Sequence, residues 1–400
     1  MSKLKQLIVS IRRGKLVQKL YQIVFSATSK LPKKNKLIIF ESFHGKQYSD
    51  NPRAIYEYIK ESYPEYKLYW AADRRHLHIF QDNNLPHVKR LSLKWILLMG
   101  RAKYWVINAR LPLWIKKPKK TIYLQTWHGT PLKKLGIDID DVQMPGTDTE
   151  KYKKNFVFEA SKWDYLVSPN RYSTDIFKQA FQFKKNVLET GYPRNDYLIN
   201  ENSVEEIQKL KKHFGLPVDK RVVLYAPTWR DNQFYEKGKY KFNLELNLQR
   251  LKEEFGDTHT VILRMHYLVA ENLDLRGYEN FVMDFSKHED IREIYLISDM
   301  LITDYSSVFF DYANLKRPIL FFVYDLEEYR DNLRGFYLDF ENKAPGPLAK
   351  TTEEIIREIK AVEENGFQPS QTFNDFYEQF CYLEDGNATK RVVDKVFWKH

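Results

Sequence analysis

The chain has 400 residues, 43% of them hydrophobic, with 64 basic against 53 acidic side chains and a formal net charge of +11. That length is a prior of two or three domains, with ample apolar material for buried cores. One cysteine, Cys381, excludes an internal disulfide or a cysteine-based metal site and fits a reducing compartment, and no stretch nears the roughly 20 apolar residues a membrane-spanning helix needs.

In chain order, residues 1–34 come first. They hold Lys3, Lys5, Arg12, Arg13, Lys15, Lys19, Lys30, Lys33 and Lys34 and no acid, so this arm supplies +9 of the net charge. Leu4, Leu7, Ile8, Ile11, Leu20, Ile23 and Val24 recur as a partial helical stripe broken at Gly14. A basic amphipathic arm of this kind fits an anionic bilayer surface, where each cation near the headgroups contributes about 1 kcal/mol. It reads as neither signal peptide nor anchor. The segment Arg110–Lys120, which mixes Leu, Trp and Ile with lysines, is a second interfacial candidate. A solvated charged face, or a nucleic-acid backbone, is the competing reading of either patch.

Strands are predicted near Leu37–Glu41, Lys67–Ala71, Tyr104–Asn108, Thr121–Trp127, Tyr165–Ser168 and Val187–Thr190, with helices near Pro52–Glu61 and Leu93–Arg101. Alternation of this kind argues an α/β fold with a parallel, doubly wound sheet. A polar helix, Val204–Phe214, and Gly215-Leu216-Pro217 mark a boundary. Further strands follow near Val222, Val261, Phe281, Leu301 and Pro318–Val323. The expected organisation is an arm (1–34), two Rossmann-like domains (35–214 and 215–372) facing a cleft, and C-terminal helices (373–400) that pack back toward the first domain.

In open α/β sheets, ligands bind beyond the carboxyl ends of the strands. The run from Thr121 ends in Trp127-His128-Gly129-Thr130-Pro131, which places a titratable imidazole in a turn at such an end. The second half repeats the pattern: Thr228 and Arg230 follow the strand at Val222, His266 follows Val261–Met265, and Asp304-Tyr305-Ser306-Ser307 follows Met300–Thr303. A serine pair opening a helix offers hydroxyls, free N–H groups and the positive dipole end to phosphate oxygens, or else simply caps the helix. Neither a GxGxxG run nor a P-loop is present. No carboxylate cluster or DxD pair stands out, so no dedicated protein metal site is expected, and Mg²⁺ from solution stays open.

Six ordered blocks carry a family resemblance: Phe40-Glu41-Ser42-Phe43-His44-Gly45-Lys46, Gln125 to Lys133, Gly191-Tyr192-Pro193-Arg194-Asn195-Asp196, Tyr225 to Arg230, Arg264-Met265-His266 and Thr303 to Ser307. From about Lys36 onward the chain resembles the CDP-glycerol glycerophosphotransferases of wall teichoic acid synthesis. The resemblance implies a GT-B-like fold and transfer of an alditol phosphate from a CDP donor to an undecaprenyl-diphosphate-linked acceptor at the cytoplasmic face of the membrane. It implies His128 as catalytic base, with His266 and the Ser306-Ser307 pair on the donor pyrophosphate. Thr228, Arg230, Asp304, Gly129, Thr130, Lys133 and Gly45 complete the expected substrate contacts, although Asp304 reads equally as structural and Gly45 as a turn residue. Arg194 is either a phosphate contact or a buried ion pair. Lys46, Asp50 and Asn51 are candidates to dock the acceptor, Lys134 to meet its phosphates, and Glu327, Glu328 and the run Arg334 to Tyr337 to reach ribose or cytosine. The length, without a further domain, predicts addition of one or a few glycerol phosphate units. A sugar transferase of the same fold and a non-catalytic membrane-attached binding protein are the rival readings.

Overall fold

The structure is a computed structural model that describes residues 15–142, 148–228, 234–236, 239–240, 244–265, 274–329 and 335–397. In the first half, β1 (Lys34–Glu41), β2 (Lys67–Ala72), β3 (His87–Lys89), β4 (Ala102–Ile107), β5 (Ile122–Gln125), β6 (Tyr165–Ser168) and β7 (Asn186–Glu189) form a parallel sheet in the order β3-β2-β1-β4-β5-β6-β7. The chain winds outward from β1 through β3, then restarts at β4 on the other side. Leu37, Ile38, Ile39 and Phe40 are all buried, because helices cover both faces and a strand so placed has no polar side.

The second half repeats the plan with β8 (Arg221–Ala226), the hairpin β9 (Phe234–Glu236) and β10 (Lys239–Tyr240), then β11 (His259–Leu263), β12 (Val282–Asp284), β13 (Met300–Thr303), β14 (Ile319–Phe322) and β15 (Leu348–Ala349). The hairpin stands apart, and the other six strands form a parallel sheet in the order β12-β11-β8-β13-β14-β15. Each sheet thus has a switch point beside its first strand, β1/β4 in one and β8/β13 in the other. The doubly wound α/β reading holds for both. The strands missed by sequence, β3, β9, β10 and β15, have only two or three residues, too few to show a period.

Part of the basic arm is not an appendage. Lys15–Ser29 is a helix docked on the first domain, with Phe25 only 2% exposed. Tyr21 donates its hydroxyl to the Leu91 carbonyl at 3.0 Å, and the Tyr21 and Phe25 rings meet Trp114 at 5.8 and 6.3 Å. Leu20 and Ile23 remain outside, at 60% and 66% exposure. In the Arg110–Lys120 segment Trp114 packs on this helix, Ile115 is buried and Lys117 pairs with Asp164 at 2.9 Å, while Leu113, Lys116, Lys119 and Lys120 stay exposed. The cationic start of the arm, residues 1–14, lies outside the described residues.

The chain's end ties both halves together. Gln371–Phe380 inserts Phe373, Phe376 and Phe380 beside Phe309 and Phe310 of the second half. Ala388–Val396 lays Val392, Val393 and Val396 among Ile55 and Tyr56 of the first.

Between these two helices sits Glu384, buried, with Oε1 accepting the Tyr192 N–H at 2.9 Å and Asn195 Nδ2 at 3.1 Å. Burial pushes its carboxyl up to about 8 from the ordinary 4.5. The folded protein therefore keeps a proton that the unfolded chain releases, and stability falls by up to about 1.4 kcal/mol per pH unit between those two values. Glu384→Gln, neutral at every pH, should melt like the parent near pH 5 and distinctly higher than the parent near pH 9. Scanning calorimetry at both pH values checks this, and an equal offset at both would refute it.

Candidate active site

Both switch points open onto one cleft, whose cavity of about 740 Å³ lies within the range of small-molecule sites. His128 lines it from the end of β5. Beyond the strand, Gln125 Oε1 accepts the Trp127 N–H at 3.0 Å and Trp127 turns left-handed at φ 51°, which is why the strand stops at Gln125 and not at Trp127. The indole is held among Phe156, Trp163, Phe177 and Phe181, and the imidazole stacks on it at 4.7 Å.

His128 Nδ1 lies 2.8 Å from the Asn108 carbonyl. A carbonyl only accepts, so a neutral ring bonded to it carries its proton on Nδ1 and keeps the Nε2 lone pair as its base. The ring surface is open to the cavity while protein surrounds it at longer range. That desolvation holds the pKa below the ordinary histidine value, with Arg194 adding to the effect and Asp50 and the Asn108 carbonyl opposing it. The ring is accordingly neutral, and basic, at neutral pH.

The opposite wall comes from the second domain. Ser306 and Ser307 line the cavity together with Ala226, Pro227 and Thr228 at the β8 end. Asp304 accepts the Thr228 N–H at 2.8 Å, and Thr303 donates its hydroxyl to the Ala226 carbonyl at 2.7 Å, so the two strand ends are laced together. Ser307 makes no side-chain cap bond. The helix it opens, Val308–Tyr312, has only five residues, so its dipole is smaller than the sequence suggests. The walls nearly touch: a Cβ on Gly129 would sit 3.1 Å from Ser307 Oγ. Arg264, its Nη1 2.5 Å from the carbonyls of both Phe285 and His288, and Met265 extend the wall toward position 266.

His128, Gly129, Thr130, Lys133, Thr228, Ser306 and Ser307 are thereby brought together around one cavity. His266, Arg230 and Arg334 lie outside the described residues. Several expected contacts are placed elsewhere. Arg194 is the ion pair and not a phosphate contact, its fork spent on Asp50 and Asp311. Asp304 is 2% exposed and acts through Thr228. Gly45 has φ 80°, and a Cβ there would overlap the Ala71 carbonyl, so it serves the turn. Glu327 pairs with Lys350 at 2.7 Å, away from the cavity. Lys134 pairs with Asp140 at 2.8 Å, while Gly335 and Tyr337 brace the loop of the first domain by accepting the Lys134 N–H and donating to the Leu132 carbonyl. Lys133 sits over the Tyr329 ring at 5.0 Å.

Three features escaped the sequence reading. His44 also lines the cavity, its imidazole pushed down to about 4, chiefly by burial and then by Arg90, Lys46, Arg110 and His128. Phe43 and His44 both take left-handed backbone, φ 45° and 63°, in series with Gly45, which nothing but Gly45 signals in the sequence. Tyr305 and Tyr329, stacked at 4.2 Å, form an aromatic wall that strand and helix patterns leave unmarked. Among the described residues, no three His, Cys, Asp or Glu side chains gather as a metal-binding set.

Over residues 23–398 the sequence matches the family described as CDP-Glycerol:Poly(glycerophosphate) glycerophosphotransferase. It is 59% identical over 396 residues to a teichoic acid poly(glycerol phosphate) polymerase of Bacillus subtilis (strain 168), covering 99% of this chain and 53% of that protein, so it spans about half the length of that relative. A protein of the same name from Bacillus spizizenii is 58% identical over 383 residues, covering 95% of this chain and 97% of its own. A teichoic acid glycerol-phosphate transferase of Staphylococcus aureus is 48% identical over 385 residues, covering 96% and 98%. A solved structure of the wall teichoic acid polymerase TagF soaked with CDPG has a TM-score of 0.87 at 42% identity, covering 99% of this chain and 98% of that one. With a GT-B-like pair of domains, a strand-end histidine facing a serine pair, and a family match across nearly its whole length, the chain belongs to the CDP-glycerol:poly(glycerophosphate) glycerophosphotransferase family.

Proposed function

We propose that this chain transfers glycerol phosphate from CDP-glycerol to a hydroxyl of a lipid-linked teichoic acid acceptor and releases CMP. The observation that carries the reading is His128 in the cavity that Ser306 and Ser307 line from the opposite domain, its Nδ1 2.8 Å from the Asn108 carbonyl, which leaves Nε2 to act as the base. In the reaction, Nε2 takes the proton of the acceptor hydroxyl as its oxygen attacks the glycerol-side phosphorus. The bond to the CMP oxygen breaks, and CMP departs with the electron pair. General-base help of this kind contributes about 10² to 10⁴-fold. Charge gathering on the transferring phosphoryl and on CMP calls for oriented donors. Ser306, Ser307 and Thr228 line the place where such charge would sit. Arg230 and His266, in the adjoining segments, are our further donor contacts, and Gly129, Thr130 and Lys133 line the acceptor side.

Relatives named for glycerol phosphate support glycerol over ribitol as the transferred alditol. Chain length does not separate few units from many, because the Bacillus spizizenii relative of matching length is named a polymerase. Two of the three relatives carry that name, which favours repeated addition, with one or a few units as the second reading. Incubation with CDP-glycerol or CDP-ribitol and a soluble acceptor analogue, followed by mass spectrometry, tests both points. Ladders of added glycerol phosphate support polymerisation, one or two additions support the second reading, and no transfer from CDP-glycerol overturns the proposal.

A peripheral position at the cytoplasmic membrane face is also our proposal, supported by the cations of residues 1–34 and by exposed Leu20 and Ile23. No described helix is long and apolar enough to cross a membrane. Removing the whole arm would strip Phe25 from the core, so the informative variant deletes residues 2–14 and adds Leu20→Ser and Ile23→Ser. It should sediment several-fold less with anionic liposomes at physiological salt, where screening acts beyond about 8 Å, and still turn over a soluble acceptor. Undiminished sedimentation would refute this role for the arm.

A further inference from the structure

The base is held by side chains that no substrate contact explains. Asn108, whose carbonyl faces His128 Nδ1, is itself fixed at both ends of its side chain. Its Oδ1 accepts the Phe43 N–H at 2.8 Å and its Nδ2 donates to Asp50 Oδ2 at 2.6 Å. Asn51 Nδ2 donates to the carbonyls of Thr126 and Trp127, at 3.2 and 3.3 Å, and so grips the main chain just ahead of His128. Asn51 Oδ1 accepts the Arg194 N–H at 3.1 Å. Arg194 then donates from Nη1 to Asp50 at 2.6 Å, and from Nε and Nη2 to Asp311 at 3.1 and 2.8 Å. Asp311 lies on the short helix directly after Ser306 and Ser307. Asn51 and Asn108 are wholly buried, and Asp50 and Trp127 both sit in left-handed backbone, φ 65° and 51°. Such non-glycine positions cost on the order of 1–3 kcal/mol each and persist only where their surroundings over-determine them.

We propose that Asn108 and the Asp50-Asn51 pair are positioning residues for His128, and that Arg194 fastens them to Asp311, so that the base and the serine turn of the opposite domain are held as one unit. The inference rests on His128 being the base. It adds how the imidazole receives its tautomer and how the two walls of the cleft keep their register. The bonds leave each member one geometry: the Asn108 amide cannot rotate without losing Phe43 or Asp50, and Asp50 cannot move without releasing Arg194. The charged and titratable groups facing the His128 ring are Asp50, Arg194 and His44. Asp50 favours the charged imidazole and Arg194 disfavours it, so neutralising Asp50 lowers the His128 pKa further.

The test uses the full chain with ¹⁵N-labelled histidine, reading the tautomer and pKa of His128 by NMR in the absence of donor, together with the pH profile of transfer. Asn108→Ala leaves Arg194 with both carboxylates, so it keeps the buried charges paired. It should give a mixture of ring tautomers and lower kcat by about 10 to 100-fold, with KM for CDP-glycerol within about twofold. Asp50→Asn should lower the His128 pKa and move the acid limb of kcat to lower pH, because the base stays neutral further into acid. If Asp50→Asn does not fold, Asn108→Ala decides alone. An unchanged tautomer and kcat in Asn108→Ala overturns the inference. The two readings fail separately. Loss of turnover in His128→Ala with an unaltered tautomer in Asn108→Ala removes positioning only, whereas an altered tautomer with His128→Ala still active removes the base and leaves the positioning network standing.

Discussion

Replacing His128 with alanine should leave the fold and CDP-glycerol binding intact and lower transfer by about 100-fold or more, the usual share of a lost general base. The fold should survive because the imidazole meets one carbonyl, that of Asn108, the Phe43 ring edge-on and the face of Trp127, and Trp127 is fixed independently by four other aromatic rings. In the parent, the ring must be neutral to act. Its pKa is held below the ordinary value by desolvation, so kcat should already be on its plateau at neutral pH and fall only in more acidic solution. In the variant that acid limb should vanish along with the rate. Single-turnover measurement with labelled CDP-glycerol across pH checks both, and a rate within a few-fold of the parent would remove His128 as the base.

Arg194→Ala should be among the most destabilising single changes in the molecule. Arg194 is buried between Asp50 and Asp311, whose attraction, against the opposing effect of burial, holds its pKa above the ordinary arginine value. Removing one partner of a buried ionic group leaves uncompensated charge and costs about 3–5 kcal/mol. Here two carboxylates lose their common cation. The Asp311 carboxyl is already raised by burial and would rise further without Arg194. It would then bind a proton more readily in the folded variant, so the deficit should shrink as pH falls. Urea unfolding at two pH values measures this, and Arg194→Lys, which keeps charge but not the fork, should fall between parent and alanine. A loss below about 1 kcal/mol would show that the pair is not the buried junction described here.

Much of the site was legible before folding. The parallel α/β halves follow from unbroken apolar runs such as Leu37–Phe40 and Val222–Tyr225, which only a sheet covered on both faces can bury. His128 and the Ser306-Ser307 pair stood out because polar residues directly after such runs mark strand ends, and strand ends in this fold face the ligand. Arg194 was different: a guanidinium in a turn suits a phosphate or a carboxylate equally well, and its partners lie 144 and 117 residues away. Asp50 and Asn51 read as loop residues for the same reason, since nothing local reveals that they reach Thr126, Trp127 and Arg194.

The arm shows where periodicity stops. Leu20, Ile23 and Val24 make one stripe in the sequence, yet Val24 packs on the first domain's core while Leu20 and Ile23 face out, because the docking surface offered by Leu91, Trp105 and Trp114 is assembled only when β3, β4 and the loop after β4 come together. The sequence by itself determined which segments are buried, where the strands end and which histidine and serines stand at those ends, because these depend on neighbours within one helix turn or one strand. Tertiary structure alone decided which cations are spent on partners, which backbone sites turn left-handed, and which nitrogen of His128 meets a carbonyl. Each of those depends on a contact between residues distant in sequence, and a buried charge or a lone pair takes its role from the partner it meets.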